Sequence, residues 1–267
     1  MATRVLAVIQ ARLHSTRLPG KALMQVAGRP MLSHVISRAE AVLGVDHVIL
    51  ATTGGAEDDA LVDLAQRHGV SAVRGSVDDV LDRFHTALLE HPADAILRVT
   101  ADCPLLDAEV SGRVLADYLD HRDAADYVCN VQPPTYPDGL DTEVFSAAAL
   151  ERAWREASQR SDREHVTPYM RDERNGFRRR NVAHDEDLSA QRWTVDELPD
   201  LEFVRAVYDE LAPDGARIFG MRDVLALLRR RPGLSALNAG IRRNEGLERS
   251  RQFDLAARGG EDRDTHR

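Results

Sequence analysis

The sequence predicts an α/β domain of Rossmann-like type, and three observations predict it. Short, mainly apolar runs at 5–9, 45–51 and 95–99 read as strands buried on both faces of a sheet. Helical patterns of about 10–15 residues separate them, as the crossovers of a parallel sheet require. The chain has 267 residues, 43% hydrophobic and 30% charged, which suits one large globular domain.

The elements follow in order. Run 5–9 is the first strand. After turns at Gly20-Lys21 and Gly28-Arg29, Pro30 opens a helix with Met31, Val35, Ile36, Ala39, Val42 and Leu43 on one face. Run 45–51 is the second strand, and 57–67 is a helix that stops at Gly69. A short strand at 71–73 precedes a helix at 77–89, whose Val80, Leu81, Phe84, Ala87 and Leu88 share a face. Run 95–99 is again a strand, followed by a helix from Asp107 to about Tyr118. Beyond residue 125 the pattern changes. Strands at 126–130 and 142–145 flank a proline-rich loop, 133–139. Helices are expected at 146–157, 162–172, 197–211 and 221–228, with an edge strand at 177–182. One domain is expected over 1–247, and 248–267 reads as a disordered polar tail.

Composition excludes several functions. A net charge of −9 disfavours nucleic acid as a partner. The runs Arg178 to Arg180 and Arg229 to Arg231 have no interleaved aromatics and read as solvated faces. No apolar stretch approaches membrane-spanning length and no secretory signal opens the chain, so the expected location is the cytoplasm. Cys103 and Cys129 lack metal-ligand spacing and read as small buried side chains.

Ligands of such sheets bind outside the carboxyl ends of the strands. Just after the first strand stand Arg12, Ser15, Arg17, Gly20 and Lys21. Three cations, a hydroxyl and a glycine suit a polyphosphate, and a solvated turn is the alternative. The loop is neither a P-loop nor a dinucleotide fingerprint. Of 35 Lys+Arg residues, Lys21 is the only lysine. A lysine is a compact point charge that an arginine fork does not always replace. Asp102 follows the 95–99 strand. A carboxylate there is either a helix cap or a divalent-metal ligand, and Asp107 is the better cap. Asp196, in the run from Arg192 to Asp200, reads on its own as a helix cap.

The stretch from Ile9 and Gln10 through Arg12, Arg17 and Pro19 to Lys21 resembles the opening of the cytidylyltransferases that activate acidic sugars, such as the CMP-Kdo synthetases. The branch named after spore coat polysaccharide biosynthesis protein F is the nearer likeness. It is carried by Arg74-Gly75 to Arg83, Arg98 to Pro104, Tyr136 to Phe145, Arg163 to Tyr169, Trp193 to Asp196, and the tetrad Arg243-Asn244-Glu245-Gly246. The resemblance implies a single nucleotidyltransferase domain. Its sheet would be mixed but mostly parallel, with helices on both faces and a small protruding β element. Residues 126–145 and 160–183 would form the acceptor and dimer region of a homodimer. It further implies that Arg12, Arg17 and Lys21 hold the CTP phosphates, with Ser15 among the nucleotide-binding residues. Gln10 or Ala11, Arg74, Gly75, Asp79 and Arg98 would lie near the nucleotide. Asp102 and Asp196 would bind Mg²⁺, which reverses the capping reading of Asp196. Tyr136, Asp138, Asp141, Glu143, Arg163 and His165 would face a small acidic acceptor.

The implied reaction is attack by the acceptor on the α-phosphorus of CTP, with Lys21, Arg17 and Asp102 as the catalytic groups. His165 either orients the acceptor or is structural. A nucleotide-sugar glycosyltransferase is the rival reading, but the strand end reads Asp102-Cys103-Pro104, without a second aspartate at the expected spacing. A non-catalytic nucleotide-binding protein would keep the loop and lose the carboxylates, yet Asp102 and Asp196 are both present.

Overall fold

A computed structural model describes residues 3–241, 243 and 245–264. Nine strands are found among them: β1 (Val5–Gln10), β2 (Gln25–Val26), β3 (Arg29–Pro30), β4 (His47–Thr53), β5 (Ser71–Gly75), β6 (Ala95–Thr100), β7 (Tyr127–Cys129), β8 (Glu143–Ser146) and β9 (Arg179–Asn181). The α-helices are α1 (Met31–Glu40), α2 (Asp59–Arg67), α3 (Val80–Glu90), α4 (Ala108–His121), α5 (Ala147–Glu156), α6 (Arg160–His165), α7 (Pro168–Arg171), α8 (Leu198–Leu211), α9 (Met221–Arg230) and α10 (Glu245–Asp264).

Seven strands make one sheet in the order β5-β4-β1-β6-β8-β7-β9, and β2 and β3 form a separate antiparallel hairpin. β5, β4, β1 and β6 run parallel, while β8 is antiparallel to both β6 and β7. The chain steps outward from β1 to β4 and β5, then returns to the other side of β1 as β6. That reversal opens a crevice beyond the carboxyl ends of β1 and β6.

Alternation along β1 explains the layers. Val5, Ala7 and Ile9 face a cluster that includes α1, α2 and α4, whereas Leu6 and Val8 face one that includes α3 and α5. A third cluster, with Trp193, Val204, Tyr208 and Phe219, packs α8 and α9 beside the hairpin. Burying each large aliphatic side chain contributes about 1.5–3 kcal/mol. Cys103 and Cys129 are buried free thiols. Among the described residues no helix is long and apolar enough to cross a membrane.

One expectation needs correction. The helix expected over 162–172 is two helices, because Val166 adopts φ 71 and ψ −55 and the Thr167 N–H donates to the His165 carbonyl (2.8 Å). This is a strained turn that a β-branched residue rarely accepts. In the polar segment from 248, α10 runs on to Asp264. Asp254 accepts from the amides of Arg160 and Ser161 at 3.1 Å each, satisfying donors that the start of α6 leaves open. Asn244 of the C-terminal tetrad and residues 265–267 lie outside the described residues.

Candidate active site

The first loop leaves β1 at Gln10, and the Leu13 amide donates to Asp58 Oδ1 (2.8 Å). Asp58, buried, also accepts from Thr52 and Thr53, so the ends of β1 and β4 share one anchor. Gly20, at φ +72, turns the chain so that its N–H reaches the Leu13 carbonyl (2.9 Å). The next residue is Lys21. Its Nζ donates to Asp102 Oδ2 (3.0 Å), Asp196 Oδ1 (2.9 Å) and the Val195 carbonyl (2.7 Å). The Asp102 loop is held by Ala101 N–H to Gln10 O (3.1 Å), and the 195 segment by Val195 N–H to Asp102 O (2.8 Å).

Neither aspartate is a helix cap. Asp107 caps α4 through the Val110 amide (2.9 Å), and Glu197 with Asp200 forms the capping box of α8. Asp102 and Asp196 keep 29% and 22% of their side chains open while Lys21 keeps 13%, so the carboxylates face the crevice and the ammonium lies between them. Burial is the largest influence on Asp102 and would raise it, but the Lys21 charge together with hydrogen bonds from Thr100, Lys21 and the backbone holds the carboxyl at about 2. Burial likewise opposes the Lys21 charge, and the two aspartates overcome it and raise the ammonium above its ordinary value. Two hard oxygen donors converging from separate loops are a donor set that a divalent cation accepts alongside phosphate oxygens.

Arg17 reaches Asp196 Oδ1 (3.1 Å), Glu197 (3.7 Å) and Glu245 of α10 (3.5 Å). Arg12 lies near the Val77 carbonyl (3.3 Å) and Glu164 (3.7 Å). Ser15 Oγ accepts from the Leu18 amide (3.5 Å) inside the loop. Arg17 and Lys21 therefore meet at Asp196 while Arg12 stands at Glu164, and the carboxylates beside the three cations come from four later segments.

Residues expected near the nucleoside divide. Arg74 is tied to the Thr53 carbonyl (2.9 Å), the Gly55 carbonyl (2.5 Å) and Asp59 (2.5 Å), at the ends of β4 and β5. A Cβ at Gly75 would sit 2.9 Å from the buried Arg83 side chain. Asp79 caps α3 and takes a forked pair from Arg163 at 2.5–3.0 Å. Asp79 and Arg163, expected on opposite substrates, thus neutralise each other and join α3 to α6.

Of the residues expected to face the acceptor, Glu143 of β8 pairs across the sheet with Arg98 of β6, which also bonds to Gln10 Oε1 (3.0 Å). Burial opposes the Glu143 charge, but Arg98, Arg171 and the Tyr127 hydroxyl hold it at about 2. Asp141 is pushed up to about 7 by burial and by Asp138 and Glu143, against the pull of Arg243. Arg243 bonds both Asp141 and the Tyr136 carbonyl (3.3 Å). The Tyr136 ring is buried in the third cluster, edge-on to His184. His165 is held at about 4 by burial and by Arg98, Arg171 and Arg12, against Glu164, and its Nε2 meets Ser250 Oγ (3.2 Å).

A profile of the cytidylyltransferase family matches residues 6–217. The chain belongs to the cytidylyltransferase family. It is 33% identical over 248 residues to an uncharacterized protein of Methanocaldococcus jannaschii, covering 92% of this chain and 98% of that one. It is 29% identical over 237 residues to spore coat polysaccharide biosynthesis protein SpsF of Bacillus subtilis, covering 85% and 95%. A solved structure of a cytidylyltransferase from Leptospira borgpetersenii superposes with a TM-score of 0.83 at 27% identity, over 90% of this chain and all of that one. The protein is accordingly a nucleotidyltransferase that uses CTP.

Sequence reasoning gave no site role to four side chains of this cytidylyltransferase: Asp58, Arg171, Arg192 and Glu245. Asp58 reaches Leu13, Arg171 acts on Glu143 and Glu245 reaches Arg17 across long stretches of chain. Glu245 stood in the C-terminal tetrad, and Arg192 stands four residues before Asp196, which it bonds at 3.1 Å.

Proposed function

We propose that the chain is a Mg²⁺-dependent cytidylyltransferase that moves CMP from CTP to an acidic acceptor, a sugar acid, phosphate or phosphonate, and releases pyrophosphate. The observation that carries this reading is the meeting of Lys21 and Arg17 with Asp102 and Asp196 at the reversal between β1 and β6. An acceptor oxygen forms a bond to the α-phosphorus. The bond from that phosphorus to the bridging oxygen of the β-phosphate breaks, and pyrophosphate takes its electron pair. Arg12, Arg17 and Lys21 bind the triphosphate and take up charge on the leaving group. Asp102 and Asp196 would hold Mg²⁺, which supplies further charge neutralisation at the phosphate oxygens. The rest is alignment of two bound substrates.

Carboxylates beside an acidic acceptor are compatible with this chemistry. Glu143 is neutralised by Arg98 within the sheet, and Asp141, at about 7, keeps a proton much of the time near neutral pH. His165 is a neutral imidazole there and can orient an acceptor hydroxyl. The test is pyrophosphate release with CTP, UTP, ATP and GTP against panels of carboxylate, phosphate and phosphonate acceptors. Release is expected with CTP and one acidic class. Release that ignores the acceptor, or prefers another nucleotide, would refute the reading.

A further inference from the structure

Behind Asp196 lies a buried array that the reaction above does not use. Arg192 is 8% exposed and addresses three carboxylates with one guanidinium. Its Nε and Nη2 fork onto Asp200 at 2.9 and 3.0 Å, Nη1 donates to Asp138 Oδ2 (3.0 Å), and Nη2 donates to Asp196 Oδ2 (3.1 Å). Asp200 is fully buried and also accepts from the amides of Asp196 and Glu197, at 3.0 Å each. Asn238 closes the back, its Nδ2 donating to the Arg192 carbonyl (2.9 Å) and Asp200 Oδ1 (3.0 Å).

The two oxygens of Asp196 have separate company. Oδ1 faces Lys21 and Arg17 in the crevice, and Oδ2 is pinned from behind by Arg192. The same guanidinium holds Asp138, whose amide and carbonyl pair with the backbone of Gln191 and Trp193 at 2.9 and 2.6 Å. Gly139 permits that approach: at φ +108, a Cβ there would lie 2.7 Å from the Trp193 carbonyl carbon.

We infer that Arg192 is a positioning residue, fixing the aim of Asp196 toward the bound cation and tying it to the 138–141 loop on the acceptor side. The inference rests on the metal reading above. Ordering a carboxylate through its outer oxygen is how a surrounding shell tunes a metal ligand, and loss of such a partner weakens metal binding or activity by about 10–100-fold. A planar fork meets three carboxylates at once, and an ammonium does not.

The competing role is charge balance alone, and the two roles predict different results. The measurement is CTP affinity by calorimetry with and without Mn²⁺, acceptor omitted so that nothing turns over. Positioning predicts that Arg192→Lys, which keeps the charge, loses about 10–100-fold of the Mn²⁺-dependent gain in affinity. The uncharged change Asn238→Ala loses part of it. A gain unchanged in Arg192→Lys overturns the inference and leaves the metal reading standing. Wild-type protein whose CTP affinity ignores Mn²⁺ overturns both. If Arg192→Lys does not fold, Asn238→Ala decides: a lowered melting temperature with the gain intact means a structural role only.

Discussion

Lys21 and Asp196 meet at 2.9 Å although 175 positions separate them in the chain. The ammonium lies between Asp196 and Asp102 and balances two carboxylates that would otherwise repel across the crevice. This places the only lysine of the chain at the point where the first loop, the β6 exit and the segment before α8 converge.

Lys21→Arg is expected to fold normally and lose about 10²–10³ in turnover, the scale for removing one preorganised charge contact. The fork is wider than an ammonium and reaches Asp102, Asp196 and the Val195 carbonyl from different directions. Pyrophosphate release and a melting curve check it together. An arginine variant with near-normal release would show that the site reads charge and not shape.

Asp102→Asn is expected to reduce turnover by at least about 10²-fold while the melting temperature stays close to wild type. The side chain makes no cap, and its backbone links to Val195 and Thr194 survive the change. Kinetics at rising Mg²⁺ provide the check, and full recovery at high Mg²⁺ would contradict a direct role in turnover.

Glu143→Leu leaves the partly buried Arg98 without its cross-strand partner, which costs up to about 3 kcal/mol, the low end for breaking a buried pair. Urea unfolding measures this. Adding Arg98→Met should restore much of the loss, because a buried pair replaced by apolar groups is often close to neutral. A double variant no more stable than the single one would show that Arg98 has another essential partner.

The pH dependence follows from His165. Its folded pKa, about 4, lies below the ordinary 6.5, so the unfolded chain binds the proton first. This histidine's contribution to stability is complete above about pH 6.5 and is lost as pH falls to 4, by up to about 3 kcal/mol. Asp141, raised to about 7, acts in the opposite sense over an overlapping range, so the wild-type curve alone is not diagnostic. The difference between wild type and His165→Asn isolates the effect. Parallel stability curves from pH 7 to 4 would rule it out.

Local patterns made the strands and most helices legible. β1, β4 and β6 stand out as apolar runs because both faces of that part of the sheet are covered. The break between α6 and α7 was not legible, since it depends on a valine held at positive φ by the packing around it. Lys21, Arg17, Asp102 and Asp196 could be singled out because each follows a strand end or lies in a recognisable motif. The partners of Asp79, Asp58 and Asp196 were hidden, because pairs such as Asp79 with Arg163 carry no periodic signal along the chain. The docking of α10 was missed for a related reason: a polar, arginine-rich helix reads as solvated until the cap it provides for α6 is seen.

The contact of Glu245 with Arg17 bears on how the protein is made. A ribosome delivers Arg17 well before Glu245, which follows only after the sheet strands have emerged. Until then the first loop faces an unfinished wall, with Ser250 absent from His165 and Arg243 from Asp141. A nascent chain can form its core early and still wait for residue 245 to clear the exit tunnel before the crevice is closed on that side. A chain cut short ahead of residue 243 would keep every sheet strand and leave the crevice open on that side.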